Sequence, residues 1–312
     1  SLAKHALSAA RQYAGIAPAA PHALHMPSHT FTRLGYWQES IDTNLRSADA
    51  AMAAGSPAEA LHAIDYMAYA YLQTGQDAAA ATTLARTSEV FAQVASNDRY
   101  IVAGAFAAAA VPTRFALERG DWTAATQVPA VKSPAPFVDA IVDFAHGIGA
   151  ARTKDIEGAT TAVESLKATE KKLQKNAYWA GQVAVQRSIV EAWLEHARGN
   201  QEAAVSTMQK AVELANATEK SAISPGPLAP AGEQLGELLL ILERPDEALS
   251  AFRQAVEKEP GRFRGLYGAG RAAQAIGNSE LARAYYSRLI ETCENADSER
   301  PELLSARAYL EQ

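Results

Sequence analysis

Apolar residues recur along this chain with a helical period, and short turn signals interrupt them at near-regular intervals. Each signal places a Gly after an apolar-periodic stretch and a small residue five positions later. The pattern occurs at Gly35 with Ser40, Gly75 with Ala80, Gly120 with Ala125, Gly199 with Ala204 and Gly277 with Ala282. Two further copies replace the Gly, with Lys154 ahead of Ala159 and Glu243 ahead of Ala248. The seven signals stand 40, 45, 34, 45, 44 and 34 residues apart. Gly at the end of a helix supplies the left-handed residue that closes it. The small residue lets the next helix pack close to the last. The pattern therefore predicts a helix, a tight turn and a second helix, seven times over, with Pro301 to Gln312 as a capping helix. About 14 to 15 helices and no sheet are expected on this reading.

Two stretches break the helical pattern, Val128 to Pro136 and Ile223 to Pro230. Their prolines divide the array into segments 1–128, 137–222 and 230–312, taken as parts of one continuous superhelix. The Lys-rich run from Lys167 to Lys175 is expected to be a solvated helix face.

Composition supports helix throughout: 69 of 312 residues are Ala. Lys and Arg number 29 against 35 Asp and Glu, a net charge of −6. An acidic chain lacks the basic footprint that nucleic acid needs. No apolar run reaches the ~18 residues of a membrane span. The most apolar stretch, Ile101 to Val111, reads as a buried helix. A single cysteine, Cys293, allows no intrachain disulfide, which fits a cytoplasmic setting. The chain is helix-like from Ser1, so an upstream segment is expected to be missing.

Leu235, Gly236, Leu239, Ala248, Phe252, Ala255 and Pro260 fall at the consensus positions of a 34-residue helical repeat. In these residues, and in Gly270, Gly277, Ala282 and Tyr286, the chain resembles the tetratricopeptide repeat (TPR). The resemblance implies an all-α, right-handed superhelix of about seven repeats. Its first helices would line a concave groove that takes a peptide or small ligand. A narrower likeness covers Ala14 to Phe31 and the turn of Arg33, Leu34, Gly35 and Trp37. It is to a bacterial branch of TPR proteins with a His-rich first repeat, here His22-Ala-Leu-His25-Met-Pro-Ser-His29.

In the register of the repeat, His22, His25, His29 and Arg33 point into the groove from the first repeat. His62, Asp65 and Tyr69 do so from the second. The helical angle agrees independently, since positions i, i+3 and i+7 lie within about 60° of one another. Trp37 and Trp122 fall at turn-packing positions, and His5, His146 and His196 stand alone.

Neutral imidazole is the commonest transition-metal ligand, and His25 and His29 have the i, i+4 spacing at which two rings share one ion. His22 and His29 lie about 10 Å apart along a helix, too far to share it. A site would join His25 and His29 to His62 or Asp65, with zinc the expected ion. The residues between His25 and His29 carry no acid, so the HExxH protease pattern is absent. A phosphate loop and a GxSxG elbow are absent too. A binding scaffold with a protein or peptide partner is thus the leading reading, ahead of an enzyme. A His-centred metal-binding or hydrolytic protein is the alternative. A self-assembling module is the third reading, because solenoid ends expose apolar faces. Hydrogen-bonding histidines, with Asp65, Tyr66 and Tyr69 as partners, are the plain structural alternative.

Overall fold

Gly35, Gly75, Gly120, Gly199 and Gly277 all have positive φ, from 66° to 86°. Lys154 and Glu243 occupy the same left-handed region, at 64° and 58°, despite carrying a Cβ. The turn is therefore retained where the Gly is lost. The small residues five positions on are all buried, each at most 1% exposed: Ser40, Ala80, Ala125, Ala159, Ala204, Ala248 and Ala282.

The computed structural model describes residues 2–13, 16, 17, 19–218 and 223–312. Ala14, Gly15 and Pro18 of the His-rich stretch, and 219–222 at the end of the middle segment, lie outside the described residues. Among the described residues there is no strand, and the helices number sixteen. They are α1 (Leu2–Tyr13), α2 (Pro21–Leu34), α3 (Trp37–Ala53), α4 (Pro57–Gln73), α5 (Asp77–Phe91), α6 (Ile101–Arg119), α7 (Trp122–Ala125) and α8 (Pro136–Arg152). The second half holds α9 (Ile156–Lys172), α10 (Ala177–Ala197), α11 (Gln201–Ala217), α12 (Ala231–Ile241), α13 (Pro245–Lys258), α14 (Phe263–Ala275), α15 (Ser279–Thr292) and α16 (Pro301–Leu310).

Successive pairs from α2/α3 to α14/α15 form the seven repeats, with α16 packed on α15 as the cap. The helix α1, which packs on α2, is additional to the pairs counted from the turn signals. Repeat three is abbreviated. Its second helix, α7, has four residues and is capped by the Asp121 carboxylate, which accepts from Ala124 N. The two Pro-containing breaks are non-helical, yet α6 packs on α8 and α11 on α12 across them. One core of buried residues centres on α3 and α4, and a second runs from α6 to α16. By length and composition, α6 could cross a membrane, but 67% of its apolar window is buried inside the array. Its Arg114 is fully buried in an ion pair.

The concave side is not an open groove. The last two repeats and the cap return to the first two. Trp37 Nε1 donates to Gly261 O at 2.8 Å, and Arg262 Nη1 to the Tyr69 hydroxyl at 2.6 Å. Phe263 N donates to Gln73 Oε1, and Ser298 Oγ to Gly75 O. Arg300 is ion-paired with Asp77. At Gly35 the approach is so close that a Cβ would stand 2.6 Å from the carbonyl oxygen of Pro260.

Residues 223–230 form a strap across the remaining concave face. Arg114 holds it through Ser224 Oγ (3.0 Å), Gly226 O (3.0 Å) and Pro227 O (3.2 Å). A Cβ on Gly226 would lie 2.5 Å from the Tyr69 hydroxyl, so the strap needs Gly where it crosses α4.

Candidate metal centre

The His-rich stretch forms α2 without a break at Pro27. Pro21 opens the helix at its first turn, where a missing N–H costs nothing. Gly35 closes it, its N–H reaching the last carbonyls. The i, i+4 periodicity puts His25 and His29 on the face that meets α4. The ring centroids of His25 and His62 are 4.4 Å apart, and those of His25 and His29 are 4.7 Å apart. One ring nitrogen from each of His25, His29 and His62 lies within 4.8 Å of those of the other two. Tetrahedral zinc holds its ligand nitrogens about 3.3 Å apart when the bonds are ~2.0 Å. Each pair therefore stands at most about 1.5 Å wider than zinc would hold it.

The tautomers follow from the neighbours. Asn44 Nδ2 donates to Ser40 O at 2.6 Å, which turns Asn44 Oδ1 toward His25. His25 Nδ1 therefore donates to Asn44 Oδ1, at 2.7 Å. That leaves a lone pair on His25 Nε2, which is buried and has no hydrogen-bond partner. A buried acceptor without a donor costs about 1–3 kcal/mol and calls for a physical reason. A second ring is also held by a neighbour. The Tyr66 hydroxyl donates to Ser224 O at 3.2 Å and stands 2.9 Å from His29 Nδ1. Tyr66 thus ties the His29 ring to the strap.

His25 and His62 favour the neutral, ligating form. Burial, then the neighbouring His62 and His29, hold His25 well below the usual imidazole range despite the Asn44 bond. Burial followed by His29 and His22 lowers His62 to about 4.

The remaining predicted residues separate from this trio. His22 is exposed, its centroid 6.4 Å from that of His25. Arg33 is exposed at the rim. Both line a cavity of about 500 Å³ together with His29, His62, Tyr66 and the strap. Asp65 was expected beside the histidines as a groove residue or ligand. It is fully buried and ion-paired with Arg114 at 2.8 Å instead. Burial raises its pKa, against the pull of Arg114. Tyr69, also expected in an open groove, is buried between Trp37 and Arg262.

Asn44 was not singled out in the sequence. Its signal is Ser40, Asn44 and Ser47, three polar residues at i, i+4 and i+7 that are all buried on α3. Arg262, buried with Glu118 at 2.6 Å and Glu233 at 2.7 Å, was also missed. His146 donates to Val128 O, and Trp193 to Gln234, so both serve the fold.

Repeated helical pairs closed by left-handed turns define a helical-repeat scaffold. The tetratricopeptide repeat family matches residues 264–295, the span of α14, its turn and α15. That helical pair is thus similar to a single tetratricopeptide repeat. A tetratricopeptide repeat protein from Parabacteroides merdae ATCC 43184 is similar at a TM-score of 0.45 and 11% identity, over 93% of this chain and 97% of that one. No curated protein matches the chain in sequence.

Proposed function

We propose that this protein is a repeat scaffold that holds a divalent transition ion, zinc first, on His25, His29 and His62. The observation that carries the reading is His25 Nε2, a buried lone pair with no donor, flanked by two further imidazoles. Its Asn44 partner is what a metal-bound histidine requires on its other nitrogen. Three imidazole ligands leave a fourth position for water or a ligand atom, the arrangement of an exchangeable rather than a sealed zinc site. The adjoining cavity beside Tyr66 and the strap gives a ligand room to reach that position.

The scaffold reading for a protein partner rests on the repeat architecture, and the strap limits it. A partner segment entering the concave face at this end meets residues 223–230 already bound there.

Calorimetry on metal-stripped protein tests the metal reading. One zinc per chain is expected, abolished by His25→Ala with helicity unchanged. Cobalt(II) should give the intense visible absorption of a tetrahedral site. No zinc, nickel or copper uptake near neutral pH, or equal uptake by His25→Ala, would leave the histidines as hydrogen-bonding residues only.

A further inference from the structure

A second cavity, of about 380 Å³, lies on the other side of the strap. The volume is in the range of small-molecule sites. Its aromatic wall comes from α6, α8 and α10. Phe137 stacks on Trp179 with centroids 3.8 Å apart and planes 6° apart. Phe106 tilts against both, at 6.5 Å and 5.9 Å. Strap residues Pro227 and Leu228, with Leu235 and Leu239 of α12, add aliphatic surface.

Carboxamides are prominent in the polar lining, beside hydroxyls such as those of Thr218 and Ser250. Gln182 and Gln186 project from α10 one turn apart, and Gln209 and Asn216 come from α11. Gln186 Oε1 is buried with no hydrogen-bond partner. It is an acceptor that an N–H or O–H donor would satisfy. The charged lining groups are Glu247, Lys258 and Glu259, and each is engaged, with Glu259 acting on Lys258. Lys258 Nζ donates to Ala215 O and Asn216 Oδ1, and Glu247 accepts two bonds from Arg244. Lys258 and Glu259 offset one another, as Arg244 offsets Glu247, so an ion entering here would lose its hydration without gaining a net counter-charge.

We infer that this cavity is a binding site for an uncharged, planar aromatic molecule bearing a hydrogen-bond donor. The ring system lies against Phe106, Phe137 and Trp179, and the donor is directed to the carboxamides of α10. Offset and edge-on ring contacts supply about 0.5–1.5 kcal/mol each beyond area burial. The site is separate from the histidine cluster, so zinc is not needed for binding.

N-phenyl-1-naphthylamine is a suitable probe, being neutral, aromatic and equipped with one N–H. Titration into the full chain should give a saturable, blue-shifted emission with one site per chain. Val212→Trp, which fills the cavity from α11, should weaken binding at least tenfold with helicity retained. Gln186→Leu should weaken it at least threefold by removing the acceptor. Absence of a saturable signal would overturn the inference, as would unchanged binding by a helical Val212→Trp protein. Displacement of the probe by a peptide with the strap sequence Ile-Ser-Pro-Gly-Pro-Leu-Ala-Pro would also overturn it, marking the cavity as a seat for extended chain.

Discussion

Asn44 holds His25 at 2.7 Å and is itself held by Ser40, so one short chain of hydrogen bonds decides which nitrogen of a buried imidazole is free. Asn44→Leu should keep the helices and weaken zinc binding about 10–100-fold, the usual cost of losing such a partner. Asn44→Asp should restore the affinity, because a carboxylate accepts the same proton. Zinc calorimetry on the two variants checks the order. Equal affinity in all three proteins would show that Asn44 does not orient the ring.

Arg114 is the strap's anchor, with Asp65 on one side and three strap oxygens on the other. Arg114→Met should destabilise the protein by about 3–5 kcal/mol, because it strands a buried carboxylate. Pairing it with Asp65→Leu should recover much of that loss, yet leave the strap unanchored. Both variants should be cut faster by protease within residues 223–230. Chemical denaturation with a limited-digestion time course measures the two effects separately.

The helices and turns were legible because each repeat writes its own turn. Even Lys154 and Glu243 could be placed, from the spacing and the small residue that follows. His25, His29 and His62 were legible for a related reason: helical period puts His25 and His29 on one face, and the register of the repeat puts His62 on the neighbouring helix facing them. The same period put Asp65 and Tyr69 on that surface. What covers them is set by how far the superhelix turns over seven repeats. Tyr69 and Arg262 are separated by 193 residues, and no local pattern encodes their meeting. The strap was visible only as a run of prolines. Its path depends on Arg114, the first charged residue of the Ala-rich α6.

Asp77 and Arg300 join repeat two to the cap, and both are largely buried. Burial alone would raise the Asp77 pKa, but the hydrogen bonds and charge of Arg300 outweigh it and hold the carboxyl below its usual value. A depressed acid pKa in the folded state means that the unfolded chain binds the proton more tightly. The pair's contribution is therefore full above the ordinary carboxylate pKa and is lost as pH falls through the folded value. Stability measured from pH 6 downward should decline below about 4. The decline should be shallower in Asp77→Asn, which starts from a lower stability. Parallel curves for the two proteins would remove this ion pair as the cause.

Lys154 and Glu243 keep the left-handed turn at φ 64° and 58° without the Gly found at five of the seven signals. A Cβ in that region crowds the following carbonyl and costs about 1–2 kcal/mol. Gly removes the crowding but gives the unfolded chain more freedom, which returns about 0.4–1 kcal/mol of that gain. Both residues are exposed at their turns. Lys154→Gly and Glu243→Gly should each stabilise the array by about 0.5–1 kcal/mol, and their effects should add because the turns are two repeats apart. The opposite change at Gly199, to Ala, meets no neighbour within 4 Å, so backbone strain alone sets its cost. It should destabilise by a similar amount. Urea melts of the four proteins decide the matter. A destabilising Lys154→Gly beside a neutral Gly199→Ala would show that the turn conformation carries no strain here.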